Sequence, residues 1–221
     1  MSRVLEVCCF CVEDAIVAQD AGADRIELCA GRPEDGTTPS LGMLEQARSK
    51  LSIPVFPMVR PRGGDFVYGE QEFAAMQRDV SVIAEIGFPG VVFGLLKSDN
   101  SVDLDRTADL IGCAGTMEVT FHRAFDSAAD PIVSALAIAE IGCTRILTSG
   151  QQPTALEGSP LLRDLIGLSG APLIMPGSGV RPSNIEMLLG LGATEFHSTC
   201  TVSSTEPTSA TLVSELAQLI H

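Results

Sequence analysis

The residues best suited to chemistry sit at the ends of short apolar runs. In VFPMVRPRGGDF (Val55 to Phe66) an apolar stretch turns abruptly into Arg60, Pro61, Arg62, two glycines and Asp65. Proline holds Arg60 extended, and the two guanidinium groups suit bidentate hydrogen bonding to an anion or a carboxylate. LEVC and IELC place Glu6 and Cys8, then Glu27 and Cys29, in equivalent positions. Paired carboxylates next to cationic groups acquire divided acid and base roles, and two thiolates on neighbouring strands suit a soft ion such as Cu(I) or a disulfide. VTFHRAFD contributes His122 and Arg123, ATEFHS contributes His197, and the PGSGV turn contributes Ser178 with backbone N–H groups fit for a phosphate. The plainer reading keeps Glu6 and Glu27 as counter-ions of Arg60, both histidines as hydrogen-bonded core residues and both cysteines as reduced packing groups. Cys8 and Cys29 do not follow a zinc spacing, since no second CxxC or histidine pair completes four ligands.

The elements that must position these residues follow from one repeated plan. AQDAGADRIEL, AEIGFPGVVF, AEIGCTRILT and LGLGATEFHS each run from a helical pattern through Gly22, Gly87, Gly142 or Gly192 into a β-rich run. Glycine past a helix end supplies the left-handed cap before a parallel strand. Strand cores are expected at about Val4 to Cys8, Arg25 to Cys29, Val55 to Arg60, Gly90 to Phe93, Glu118 to His122, Arg145 to Thr148, Leu173 to Pro176 and Glu195 to Ser198. Helices between them carry apolar residues at helical spacing, as in Phe73, Met76, Val80 and Ile83. Asp130-Pro131, Ser159-Pro160 and the Ser183/Glu186 pair are start signals. Eight such units predict a single-domain α/β (β/α)8 TIM barrel of parallel strands over residues 1–221. A doubly wound sheet competes less well, and no GxGxxG follows the first strand, so no nucleotide cofactor is expected.

Barrel strands show alternate residues to helices and lumen. Because the helix-covered face must be apolar, Glu6, Glu27, Arg60, His122 and His197 are expected to point inward, with Cys8, Cys29 and Arg62 toward the mouth. Polar groups at carboxyl ends of strands are the signature of a barrel active site.

Composition narrows the partners. With 221 residues and 45% apolar ones the chain can bury one large core, and a formal charge of −14 disfavours nucleic acid and anionic membranes. No run approaches the ~20 apolar residues of a membrane span, and no secretory signal is legible, so a cytoplasmic protein is expected. Seven cysteines then read as reduced thiols, with Cys113 and Cys143 as packing residues and Thr199 to Ser209 as a Ser/Thr-rich loop.

LEVC, GADRIELCAG, DGTTPS, IPVFPMVRPRGGDF, VTFHRAFD, RILTSG, TALEG, PGSGV and ATEFHS, spanning about Leu5 to Ser198, resemble the successive motifs of the CutC copper homeostasis family. The resemblance implies a cytoplasmic (β/α)8 barrel with a role in copper tolerance, and Cu(I) held at positions matching Cys8 and Cys29. Cys9 and Cys11 depart from the usual pattern, Asp35 takes a place commonly held by glycine, and the tail is shorter than usual. Two functions stand side by side. One is a copper-binding homeostasis protein. The other is an enzyme on a small anionic or polyhydroxylated metabolite, with Glu6, Glu27 and His122 as catalytic groups and Arg60, Arg62, Arg123, Ser178 and His197 binding the ligand. The expected partner is accordingly a copper ion or a small molecule, and a homo-oligomer is left open.

Overall fold

Strands and helices alternate strictly along the computed structural model, which describes residues 3–203 and 205–221. The first half runs β1 (Val4–Cys9), α1 (Val12–Asp20), β2 (Arg25–Leu28), α2 (Leu41–Lys50), β3 (Val55–Pro57), α3 (Glu70–Ile86), β4 (Gly90–Phe93) and α4 (Leu104–Ala114). The second continues with β5 (Glu118–Phe121), α5 (Pro131–Glu140), β6 (Arg145–Thr148), α6 (Ser159–Ile166), β7 (Leu173–Pro176), α7 (Ile185–Leu189), β8 (Glu195–Ser198) and α8 (Ala210–Ile220). All strand pairings are parallel, in the orders β3-β2-β1-β8 and β4-β5-β6-β7. The Met58–Val92 bridge joins the two sets at β3 and β4, and at β7 and β8 the Gly177 backbone lies against the His197 side chain. The fold is a (β/α)8 TIM barrel.

Alternation sorts the side chains. Leu5, Val7, Ile26, Leu28, Val91, Phe93, Phe121, Ile146 and Phe196 face outward into a core shared with Phe73, Met76, Val80 and Ile83 of α3 and with the other helices. Each such side chain contributes ~1.5–3 kcal/mol by leaving water, so this layer fixes the strand phase. The opposite phase fills the lumen, where Cys8, Cys29, Phe56, Met58 and Val92 make a small apolar cluster of their own.

Local signals hold with shifts of a residue or two. Asp130 caps α5 by accepting from the Ile132 and Val133 N–H groups, whereas α6 begins at Ser159, one residue earlier than the Ser159-Pro160 signal places it. The Ser183/Glu186 box does not form. Helix α7 starts at Ile185, because Asn184 instead accepts from the Arg181 N–H and donates to the Gly179 carbonyl. Strand β3 ends at Pro57 rather than Arg60. The segment between β8 and α8 is a loop, with Ser204 outside the described residues.

Candidate metal and ligand site at the barrel mouth

The floor of the lumen is ionic. Arg25 enters from the start of β2 and donates to Glu6 at 2.5 Å, to Glu195 and to the Met175 sulfur. Arg145, from the start of β6, donates to Glu195 at 3.0 Å, to Glu118 and to Thr120. Their guanidinium carbons stand 4.9 and 5.1 Å from the centre of the Phe56 ring, which lies across the lumen at this level. The Phe56 ring fits because β4 opposes it with Gly90, where a Cβ atom would approach within 2.4 Å. The carboxylate of Glu6 is therefore neutralised by Arg25, and not by Arg60 as the sequence suggests.

One level up, Glu6 turns its second oxygen to His197, with Oε1 2.7 Å from Nδ1. Burial raises the Glu6 carboxyl, but Arg25 and His197 outweigh it and hold it at about 2. Glu6 is thus a fixed anion beneath the site, which does not suit it to move a proton. His197 presents Nε2 upward, 3.8 Å from Glu27 Oε2. Burial lowers the histidine, yet Glu27 and its hydrogen-bond partners Cys8 and Glu6 carry it well above its ordinary value. Burial pushes Glu27 upward. Ligand atoms of Cys8, Glu27 and His197 lie within 4.8 Å of one another.

Of the two thiols expected toward the mouth, Cys8 reaches the cavity and Cys29 is buried beside it. Cys8 Sγ stands 3.9 Å from Cys29 Sγ, and Cys29 Sγ stands 3.5 Å from Glu27 Oε2. The contact with Cys29, burial and Glu27 raise the Cys8 thiol well above its usual range. Contact with Cys8 lowers Cys29, but burial and Glu27 bring it to about 12. An incoming metal ion displaces these protons. Cys9 faces the helices instead, and Cys11 caps α1 by accepting from the Asp14 N–H, so neither joins the pair. Cys143 and Cys113 pack in the apolar layer.

Above these groups opens a cavity of about 420 Å³. Its wall includes Cys8, Glu27, Arg60, His122, Arg123 and His197, together with Asp35, Phe66, Asp126, Ser178 and Ser198. Four buried side-chain polar atoms among the described residues lack a partner, and three of them, Glu27 Oε1, Arg60 Nε and His122 Nε2, belong to this wall. Unpaired buried groups cost ~1–3 kcal/mol each, so their gathering at one cavity marks a place where a ligand completes the structure.

His122 accepts from the Ala124 N–H at Nδ1, 3.2 Å away. Burial, Arg60 and Arg123 lower its pKa to about 3, so the ring is neutral near pH 7 and carries its proton on Nε2. Its free atom is a hydrogen-bond donor.

The arginines are more occupied than their types suggest. Arg60 spends its terminal nitrogens on the Glu34, Gly36 and Gly64 carbonyls and so clamps two loops, leaving Nε. Arg62 is absent from the cavity wall. It pairs with Glu72 at 2.6 Å and Asp65 at 2.9 Å, because the chain leaves strand geometry after Pro57 and alternation no longer aims its side chain. Arg123 pairs with Asp126 at 2.9 Å, and Ser178 donates to the Pro153 carbonyl at 2.8 Å. Asp35 adopts φ 58, the left-handed region that suits glycine, and adds a carboxylate to the mouth.

Sequence reasoning missed Arg25, Arg145 and Asp126. The first two were within reach, being in phase with Glu27 and Leu147. Asp126 lies in a 3-10 turn after β5, where it accepts from Thr148, Ser149 and the Gln151 N–H; no periodicity announces it.

Among known proteins, a profile of the CutC family matches residues 3–202. A family protein CutC from Erwinia tasmaniensis is 52% identical over 92% of this chain and 82% of its own. Another, from Photorhabdus laumondii, is 53% identical over 88% of this chain and 78% of its own. A solved Streptococcus agalactiae structure described as a copper homeostasis protein CutC superposes with a TM-score of 0.85 at 30% identity, covering 89% of this chain and 98% of that one. Thiamine phosphate pyrophosphorylase from Pyrococcus furiosus, at 17% identity and a TM-score of 0.66, covering 98% of this chain and 95% of that one, shares the fold alone. With the family profile running from the residue before β1 to past the end of β8, the chain belongs to the CutC family.

Proposed function

We propose that the protein serves copper homeostasis in the cytoplasm by holding one Cu(I) ion between Cys8 and Cys29. The observation that carries this reading is the 3.9 Å separation of two lumenal thiols, one on β1 and one just past the end of the adjacent β2, of which Cys8 reaches the wall of the cavity. A soft monovalent ion takes two thiolates at that spacing with small side-chain adjustment, and the apolar cluster of Phe56, Met58 and Val92 around them keeps out water. The name of the Streptococcus agalactiae relative agrees with this role. Competition of the reduced protein against a Cu(I) chelator tests it. Cys8→Ser and Cys29→Ser should each weaken binding at least tenfold, ~1.4 kcal/mol or more. Equal affinity in both variants places copper elsewhere and overturns the reading.

The gathering of unpaired polar atoms favours a second reading beside the first. Glu27 Oε1, Arg60 Nε and His122 Nε2 offer one acceptor and two donors to a cavity of about 420 Å³, a size that takes a small anionic or hydroxylated molecule. In that reading His122 donates to a ligand oxygen, Arg60 and Arg123 add positive charge, and Glu27 is the proton-accepting group.

A further inference from the structure

We infer that Cys8, Glu27 and His197 form an open site for one borderline divalent cation of the Zn²⁺ class, with a donor set different from that of the thiol pair.

Four observations carry this. The three donor atoms fall within 4.8 Å of one another, and His197 Nε2 stands 3.8 Å from Glu27 Oε2. Tetrahedral bonds of ~2.0–2.3 Å put donors ~3.6 Å apart, so only small movements close the site. The second nitrogen of His197 is held by Glu6 at 2.7 Å, and Glu6 is itself locked by Arg25. A ligating histidine whose other N–H is fixed by a carboxylate has its lone pair aimed in advance. Independently, Glu27 Oε1 is buried with no partner, on a residue only 3% exposed. It is a lone acceptor that a cation satisfies. Finally, all three residues stand in the cavity wall, so a fourth coordination position faces the cavity and is left to water or to an oxygen of a bound small molecule. Three protein ligands plus an open position is the pattern of reactive rather than purely structural zinc sites.

The donor set decides the class of ion. Once the ion has displaced the Cys8 proton and the Nε2 proton of His197, a thiolate and a carboxylate with a neutral imidazole cancel a charge of two. The carboxylate is a poor ligand for Cu(I), and the thiolate disfavours Mg²⁺ and Ca²⁺, which take oxygen donors. The inference is independent of the Cu(I) reading, since Cys29 belongs to one site only and His197 and Glu27 to the other. Cys8 belongs to both, so the two ions exclude each other.

Calorimetric titration of the reduced protein with Zn²⁺, and absorption spectroscopy with Co²⁺ as the probe, test it. One equivalent should bind, with the intense visible bands of tetrahedral Co²⁺ and a thiolate charge-transfer band that Cys8→Ser removes. Glu27→Gln and His197→Gln should each weaken Zn²⁺ at least tenfold, whereas Cys29→Ser, which touches the site without ligating it, should weaken Cu(I) by a larger factor than Zn²⁺. Should one neutral variant fail to fold by circular dichroism, the other reports alone. The inference is overturned by an absence of stoichiometric binding, by octahedral Co²⁺ without a thiolate band, or by Zn²⁺ affinity unchanged in Glu27→Gln and His197→Gln. If Cu(I) fails to bind while the Zn²⁺ results hold, the Cu(I) reading alone falls.

Discussion

At the scale of single residues, the site is defined by which polar atoms are already spoken for. Arg60 and His122 both line the cavity, but the arginine offers only Nε and the histidine only a donor at Nε2. A thermal-shift screen of small carboxylates, phosphates and polyols should find a ligand that raises the melting temperature of the wild-type protein. His122→Ala and Arg60→Met should lose that shift while still folding. A wild-type protein that answers no ligand, with both variants folded, would make this cluster structural. Residue types in the sequence named these groups correctly as neighbours but did not reveal their commitments. The carbonyls that hold Arg60 come from Glu34, Gly36 and Gly64, and no sequence pattern shows that backbone oxygens will converge there. The role of Glu6 was misread for a related reason. Its partner Arg25 opens β2, a position easily taken for a solvent-facing strand start, yet here it is buried between Glu6 and Glu195.

At the scale of elements, strand alternation was the most legible feature, because outward apolar residues such as Leu5, Val7, Ile26 and Leu28 leave the strand no other phase. What alternation cannot show is depth. Gly90 reads simply as the first residue of a strand, but it is the gap into which Phe56 projects, with the ring carbons 2.4–2.5 Å from where a Cβ would be. Gly90→Ala should therefore destabilise the barrel by ~1–3 kcal/mol in denaturant titration, as overpacking does. Phe56→Leu combined with it should recover part of the loss, since the two sites share one space. Additive costs would mean that the glycine is needed for its backbone and not for the room it leaves. The failure of the Ser183/Glu186 box has a similar origin. Capping signals compete locally, and Asn184, tied to Arg181 and Gly179, wins.

For the molecule as a whole, the floor network joins β1, β2, β5, β6 and β8 through Glu6, Arg25, Glu118, Arg145 and Glu195. Removing Arg25 leaves Glu6 with His197 alone and Glu195 with Arg145 alone, so Arg25→Met should cost ~1.5–3 kcal/mol. The acid side carries a sign that checks the same network. Glu6 has its folded pKa depressed to about 2 from 4.5, so its contribution is fully present above 4.5 and is lost as pH falls toward 2. Arg25→Met should flatten that part of the stability curve. A variant with wild-type stability and wild-type acid dependence would show that Arg25 does not hold the floor together.

The same floor has a consequence for traffic. Arg25 and Arg145 sit against Phe56 with 5, 3 and 2% of their surfaces exposed respectively for Arg25, Arg145 and Phe56, so the barrel is a cup and not a tube. Whatever reaches Cys8 arrives through the rim of Asp35, Phe66 and Arg123 and leaves by the same door. A molecule seated in the cup therefore corks it. An ion below is released only after the cork is drawn, or is handed to whatever next leans over the rim.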